Sequence, residues 1–213
     1  LTGAATQFTN TLGTTAVLTT TGATTLTATG QTLDVSGSVT GAALTTSAAA
    51  TNLGTLSVGS ANLTATGALT QSGVLTDAGA LTVSAAGQAI TLTQNNAVTG
   101  TATLTGAATQ FTNTLGTTAV LNTTGATTLT ATGQTLNVSG SVTGALLTTS
   151  AAATNLGTLS VGSANLTATG TVTQSGVLTD AGALTVSAAG QAITLTQNNA
   201  VTGTATLTGA ATQ

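Results

Sequence analysis

Apolar and polar residues alternate along most of the chain. Leu26 and Ala28 point one way while Thr25, Thr27 and Thr29 point the other; Ile90 and Leu92 alternate with Thr91 and Thr93; Ala102 and Leu104 alternate with Thr101, Thr103 and Thr105. A period of two in β-branched sequence predicts strands. Helix is disfavoured by the Thr and Gly content and by the lack of a 3.6-residue apolar stripe with charged flanks. Each alternating run is short and ends in Gly, Asn or Ser, the residues that supply corners and positive φ.

The pattern repeats on two scales. Leu1-Thr2-Gly3-Ala4-Ala5-Thr6-Gln7-Phe8 returns as Leu104 to Phe111 and begins again at Leu207, a period of 103 residues. The first two copies, 1–103 and 104–206, differ at five positions: Thr19/Asn122, Asp34/Asn137, Ala43/Leu146, Ala68/Thr171 and Leu69/Val172. A third copy starts at 207–213, so the chain reads as one continuous solenoid domain, 1–213, and as a window in a longer array. Inside the long repeat, Gly22–Gly30 resembles Gly59–Gly67, with shorter versions at Gly41, Gly79 and Gly100. Aligning these phrases puts Leu1, Leu26, Leu44, Leu63, Leu81 and Leu104 in one series, with spacings of 25, 18, 19, 18 and 23 residues. The expectation is five coils per long repeat, a mean of 20.6 residues each.

A single such unit cannot bury its apolar face alone, whereas stacked coils line a shared interior with Leu, Val, Ile and Ala. The expected fold is therefore all-β: a parallel β-helix of about 20 residues per coil and about ten coils, right-handed by the crossover rule. At an inter-strand spacing of about 4.8 Å such a rod is on the order of 50 Å long. Phe8 and Phe111, the only aromatic residues, are expected to face inward as apolar core residues do.

Composition narrows the function. The chain has 60 Thr and no Lys, Arg, His or Cys; its ionisable side chains are Asp34, Asp77 and Asp180, for a net charge of −3. Low charge with positive hydropathy is unlike a disordered chain. Thr, Ser or Gly interrupts every apolar run, so no transmembrane helix of about 20 apolar residues is expected. Without a basic side chain, nucleic-acid binding by phosphate neutralisation is excluded, as is attraction to anionic membrane. Little charge keeps copies apart, and near-zero charge favours association, so self-assembly is the first partner to consider.

The same inventory argues against catalysis. Acid–base chemistry needs a titratable group tuned by its neighbours, usually one of a pair. Asp34 is Asn137 in the next copy, and Asp77 and Asp180 are equivalent positions about five coils apart. Asp77 in Thr-Asp-Ala-Gly reads as a turn residue. No cluster of carboxylates offers the six to eight oxygens of a calcium site, and no base is present to activate a Ser or Thr nucleophile. No enzyme activity, catalytic residue, metal or cofactor is therefore expected. Asn10, Asn52, Asn62, Asn95 and Asn96 recur one long repeat later and suit hydrogen-bonded ladders at corners. Asn62, Asn122, Asn137 and Asn165 lie in Asn-x-Ser/Thr sequons, which arise readily where Thr is this frequent. The Thr-x-Thr arrays resemble the ice-binding faces of β-solenoid antifreeze proteins, but spacings from 18 to 25 are expected to break the alignment of Thr ranks.

The stretches Gly22–Val39, Val58–Gly67 and Gly73–Gln94, with their Leu-Thr-Ala-Thr-Gly and Ala-Gly-Ala-Leu-Thr-Val phrases, resemble the passenger regions of filamentous-haemagglutinin-type exoproteins and autotransporter adhesins. The resemblance implies a right-handed parallel β-helix, secretion to the cell surface or beyond it, and work as an adhesin, surface fibre or stalk. The near absence of charge and the near-identical long repeats favour building material over receptor adhesion. The expected function is an extracellular structural fibre that self-assembles, with an adhesin stalk as the alternative and ice binding as a remote one.

Overall fold

The computed structural model describes residues 1–188 and 190–212; Gln213, the last residue of the third repeat start, lies outside them. Among the described residues no helix forms. Parallel strands stack into a β-solenoid of about 11 turns set roughly 19 residues apart. Side chains alternate as the sequence dictates: Thr117–Thr123 reads buried, exposed, buried throughout its length. The inward positions stack into columns. Leu63 pairs with Val83, Val83 with Leu104 and Leu104 with Leu121, and all four are buried. Burying each such side chain contributes roughly 1.5–3 kcal/mol, which offsets the cost of ordering a chain with few other sources of stability.

The coil changes shape along the rod. The turn that starts at Leu69 has three short strands, Leu69–Gln71, Leu75–Asp77 and Leu81–Ser84. The turn that starts at Thr109 has two longer ones, Thr109–Asn113 and Thr117–Thr123. Thr24–Ala65 and Thr127–Ala168 run as unbroken extended chain for more than two turns. Positive-φ glycines such as Gly37 and Gly140, both at 104°, sit within these long runs, where a residue with a Cβ would resist the conformation.

The structure differs from the leucine alignment expected from the sequence. Thr2 pairs with Thr19, which sets Leu1 beside Leu18 rather than Leu26. Leu26 takes Phe8 as its partner, and Leu104 takes Leu121 rather than Leu129. The Leu-Thr-Ala-Thr-Gly phrase marks a strand approaching a corner, and corners occur at several places around each coil. Backbone pairing, not phrase similarity, sets which leucines stack.

The long repeat is consequently not a whole number of coils. Thr14 pairs with Leu33, Thr51 with Leu69, Leu69 with Ile90 and Ile90 with Thr109. The remaining step, Leu33 to Thr51, follows from Gly54 lying against Ser36. Thr109 is the repeat equivalent of Thr6, yet it stands five rungs above Thr14. Each repeat thus advances five coils plus the 8-residue arc from Thr6 to Thr14. That arc is a little under half of the 18-residue coil that separates Thr6 from its partner Thr24. A second column agrees. Leu81 leads through Ala102 and Ala119 to Val138, whose column continues at Leu156 and Gln174. Leu184, the equivalent of Leu81, stacks instead on Ala164.

Phe111 is buried between Leu92 and Leu129, as expected. Phe8 is 36% exposed. It packs against Leu26 above but lies at the open end of the described stack.

Candidate functional site

The outward side chains around Asn62, on Leu81–Ser84 and on Thr101–Gly106 form a lattice. Asn62 pairs with Thr82 and Thr64 with Ser84. Thr82 then pairs with Thr103 and Ser84 with Thr105. Above these, Thr101, Thr103 and Thr105 meet Thr118, Val120 and Asn122. In the next repeat Asn165, Thr185 and Thr206 stack in one column, and Thr167, Ser187 and Thr208 in another. Strand geometry spaces these groups by about 4.8 Å between rungs and about 7 Å along a strand. The ranks therefore align despite unequal coil lengths, contrary to the sequence-based expectation, because corners absorb the extra residues while strands stay in register. The other two Thr arrays are mixed: Thr25 pairs with Gln7 and Thr91 with Gln110.

Asp34 lies on the outside, in a shallow groove of about 300 Å³ lined by Thr15, Asp34, Ser36, Asn52, Gly54 and Ser72. Asn52 Nδ2 donates to Asp34 Oδ1 at 3.1 Å and to Ser72 Oγ at 3.3 Å, and Thr70 Oγ1 donates to Asn52 Oδ1 at 3.5 Å. One repeat later Asn155 Nδ2 donates to Asn137 Oδ1 at 3.3 Å and to Ser175 Oγ at 3.3 Å. An amide oxygen serves as well as a carboxylate here, so Asp34 is one rung of a cross-coil ladder. No histidine, lysine or cysteine exists to tune it for acid–base work.

Two of the expected corner asparagines are buried cross-links. Asn96 Oδ1 accepts from Gln71 Nε2 and from Leu75 N at 2.9 Å. Its Nδ2 donates to Gln71 Oε1 at 3.2 Å and to the carbonyls of Leu92 and Thr112. Asn113 Oδ1 accepts from Val98 N at 2.8 Å, and its Nδ2 donates to Val98 O at 2.8 Å and Thr117 Oγ1 at 3.1 Å. Asn96 and Asn113 are register partners, yet each bonds mainly to backbone rather than to the other. They close corners that would otherwise leave backbone groups unpaired in the interior. Gln71 was not legible as a partner; its only signal is a Gln at a strand end, one coil below an Asn. Asn62 and Asn95 are exposed, as are the sequon residues Asn122 and Asn165.

Asp77 and Asp180 are the least ordinary positions. Both are fully buried. Asp77 stacks between Val58 and Val98, and Asp180 between Val161 and Val201. Each makes the turn anticipated for it: Asp77 Oδ1 accepts from Gly79 N at 2.9 Å, and Asp180 Oδ1 from Gly182 N at 2.9 Å. In both, the second carboxylate oxygen is buried with no partner. Burial pushes the Asp77 carboxyl above the usual range, against the lowering effect of the amides of Gly79 and Ala61. The folded state therefore holds this proton more tightly than the unfolded chain does. Stability from Asp77 is fully present below the unfolded carboxylate value of about 3.9 and is lost as pH rises through the higher folded value. Urea midpoints measured from pH 3 to pH 7 are expected to fall with rising pH, and Asp77→Asn is expected to flatten that slope. A slope unchanged by the substitution counts against the assignment. Among the described residues, no three His, Cys, Asp or Glu side chains come together.

A family model described as repeats of unknown function (DUF5649) matches residues 40–105 and 143–208. The two matched segments are 103 residues apart, in phase with the long repeat. The match is to these repeats and not to a haemagglutinin or autotransporter family. No curated protein and no solved structure matches the chain. Among the described residues, no helix is long and apolar enough to cross a membrane.

Proposed function

Because the chain belongs to the family of repeats of unknown function (DUF5649), which brings no activity with it, we propose its role from the geometry: a structural segment of an extracellular or cell-surface filament that self-associates. The observation that supports this reading is where the charges lie. Asp77 and Asp180 are inside, and the third acidic side chain, Asp34, is an asparagine in the next repeat. The outer surface is mostly Thr, Ser, Asn, Ala and Gly with almost no charge, and it exposes scattered apolar side chains such as Leu12, Val17 and Leu146. Like-charge repulsion is what ordinarily keeps rods of this kind apart. Hydroxyl and methyl faces meet without stripping water from ion pairs. The chain is not an enzyme in this reading, since its one outer carboxylate is tied to an amide and replaceable by one.

Negative-stain microscopy of the purified protein at rising concentration is expected to show laterally associated rods. Particles that stay single at every concentration count against the reading. A second reading, the stalk of a filamentous-haemagglutinin-like adhesin, draws on the rod geometry: about 11 coils give a spacer on the order of 50 Å long from one chain. A non-repetitive tip domain in the full reading frame would favour it. The in-register ranks of Thr82 with Thr103 and Thr101 with Thr118 keep ice binding as a third.

A further inference from the structure

Resting on the self-association reading, we infer that the rod presents the same uncharged lattice on two opposite sides, and that second copies of the chain dock on both to form flat sheets. The offset of the long repeat carries this. Five coils plus 8 of 18 residues move each equivalent patch a little under half a turn around the rod and about 26 Å along it at 4.8 Å per coil. The lattice around Thr82 and Thr103 therefore returns, as Thr185 and Thr206, on the far side. A repeat of whole coils would instead have stacked every copy on one side and made a one-sided rod.

The occupant is a second copy for three reasons. A lattice of about 4.8 by 7 Å is matched by another β-solenoid face of the same pitch. The Thr82 face carries no charge, and the Thr185 face carries a single one, Asp34, at the opposite end of the rod from Thr185 and already bonded to Asn52. One side of the rod, about 50 Å long and about 20 Å wide, offers on the order of 1,000 Å², above the roughly 800 Å² per partner of a stable interface. Contacts of this kind close about a two-fold axis, patch on identical patch. The Thr82 side of one rod meets the Thr82 side of its neighbour, and the Thr185 side meets the Thr185 side.

The test places charge on one side at a time and reads width by microscopy and mass by light scattering. The wild-type chain is expected to form sheets many rods wide. With Thr82→Lys and Thr103→Lys together, each rod retains one competent side, and two-rod ribbons are expected. Adding Thr185→Lys and Thr206→Lys is expected to leave single rods. All four positions point outward, so β-sheet circular dichroism and the urea midpoint report that the coil is intact. Salt at 1 M, where the screening length is about 3 Å, is expected to restore wide sheets. Sheets of unchanged width in the two-site variant, or loss of all association in it, would overturn the two-sided arrangement while leaving self-association standing. Wild-type rods that never associate would overturn both, and thermal hysteresis from those rods would assign the lattice to ice.

Discussion

Phe111→Ala is expected to destabilise the chain by about 3–5 kcal/mol, the usual cost of truncating a fully buried Phe. Its ring lies between Leu92 below and Leu129 above and is 1% exposed. The backbone ladder holds the coils at a fixed spacing, so the cavity cannot collapse. Phe8→Ala supplies the control within the same molecule. It occupies the same place in the repeat, but at 36% exposure it is expected to cost less than about 1 kcal/mol. Equilibrium urea denaturation measures both. Because each coil contacts only its neighbours, hydrogen exchange should also show the Phe111→Ala loss concentrated in the rungs at Leu92 and Leu129. Equal effects from the two substitutions would mean that burial between two rungs does not set the cost at these positions.

Gly140→Ala is expected to be of similar severity, about 4 kcal/mol or more, a size reserved for named defects such as strain at a special φ. At φ of 104° a Cβ would lie 2.1 Å from Leu121 O and 2.7 Å from Leu121 N. These are backbone atoms of the coil below and cannot swing aside. Gly37 meets Leu18 in the same way in the first repeat. Gly133 separates the two causes. Its φ is 67° with nothing within 4 Å of a built Cβ, so Gly133→Ala carries only the left-handed cost of about 1–2 kcal/mol. If Gly140→Ala and Gly133→Ala shift the thermal midpoint equally, backbone conformation and not close approach dominates at both.

Much of the fold was legible because the signal is local. Leu26, Ala28, Ile90, Leu92, Ala102 and Leu104 are all buried, and a period of two admits no other face for them. The corner roles of Asn96 and Asp77 were legible as turn chemistry. That they turn inward was not, since the same residue serves a corner with its side chain inside or outside. Asn52 shows the second outcome, bonding to Asp34 on the surface. Gln71 gave no usable signal, because its partner Asn96 is 25 residues away and the intervening corner lengths set whether they meet.

Sequence alone determined that this chain is a strand-rich tandem array with an apolar interior, an uncharged Thr-rich exterior and a 103-residue period. Alternation and composition act residue by residue and need no knowledge of what stacks on what. Tertiary structure decided the register. It put Leu1 on Leu18 and Phe8 on Leu26, aligned the Thr ranks and buried two of three carboxylates. It also made the long repeat five coils and a fraction rather than five. The reason is that coil length is set by corners: coils of 17 to 21 residues keep backbone hydrogen bonds paired equally well. The sequence period and the structural period are then free to differ, and their difference places the same surface on both sides of the rod.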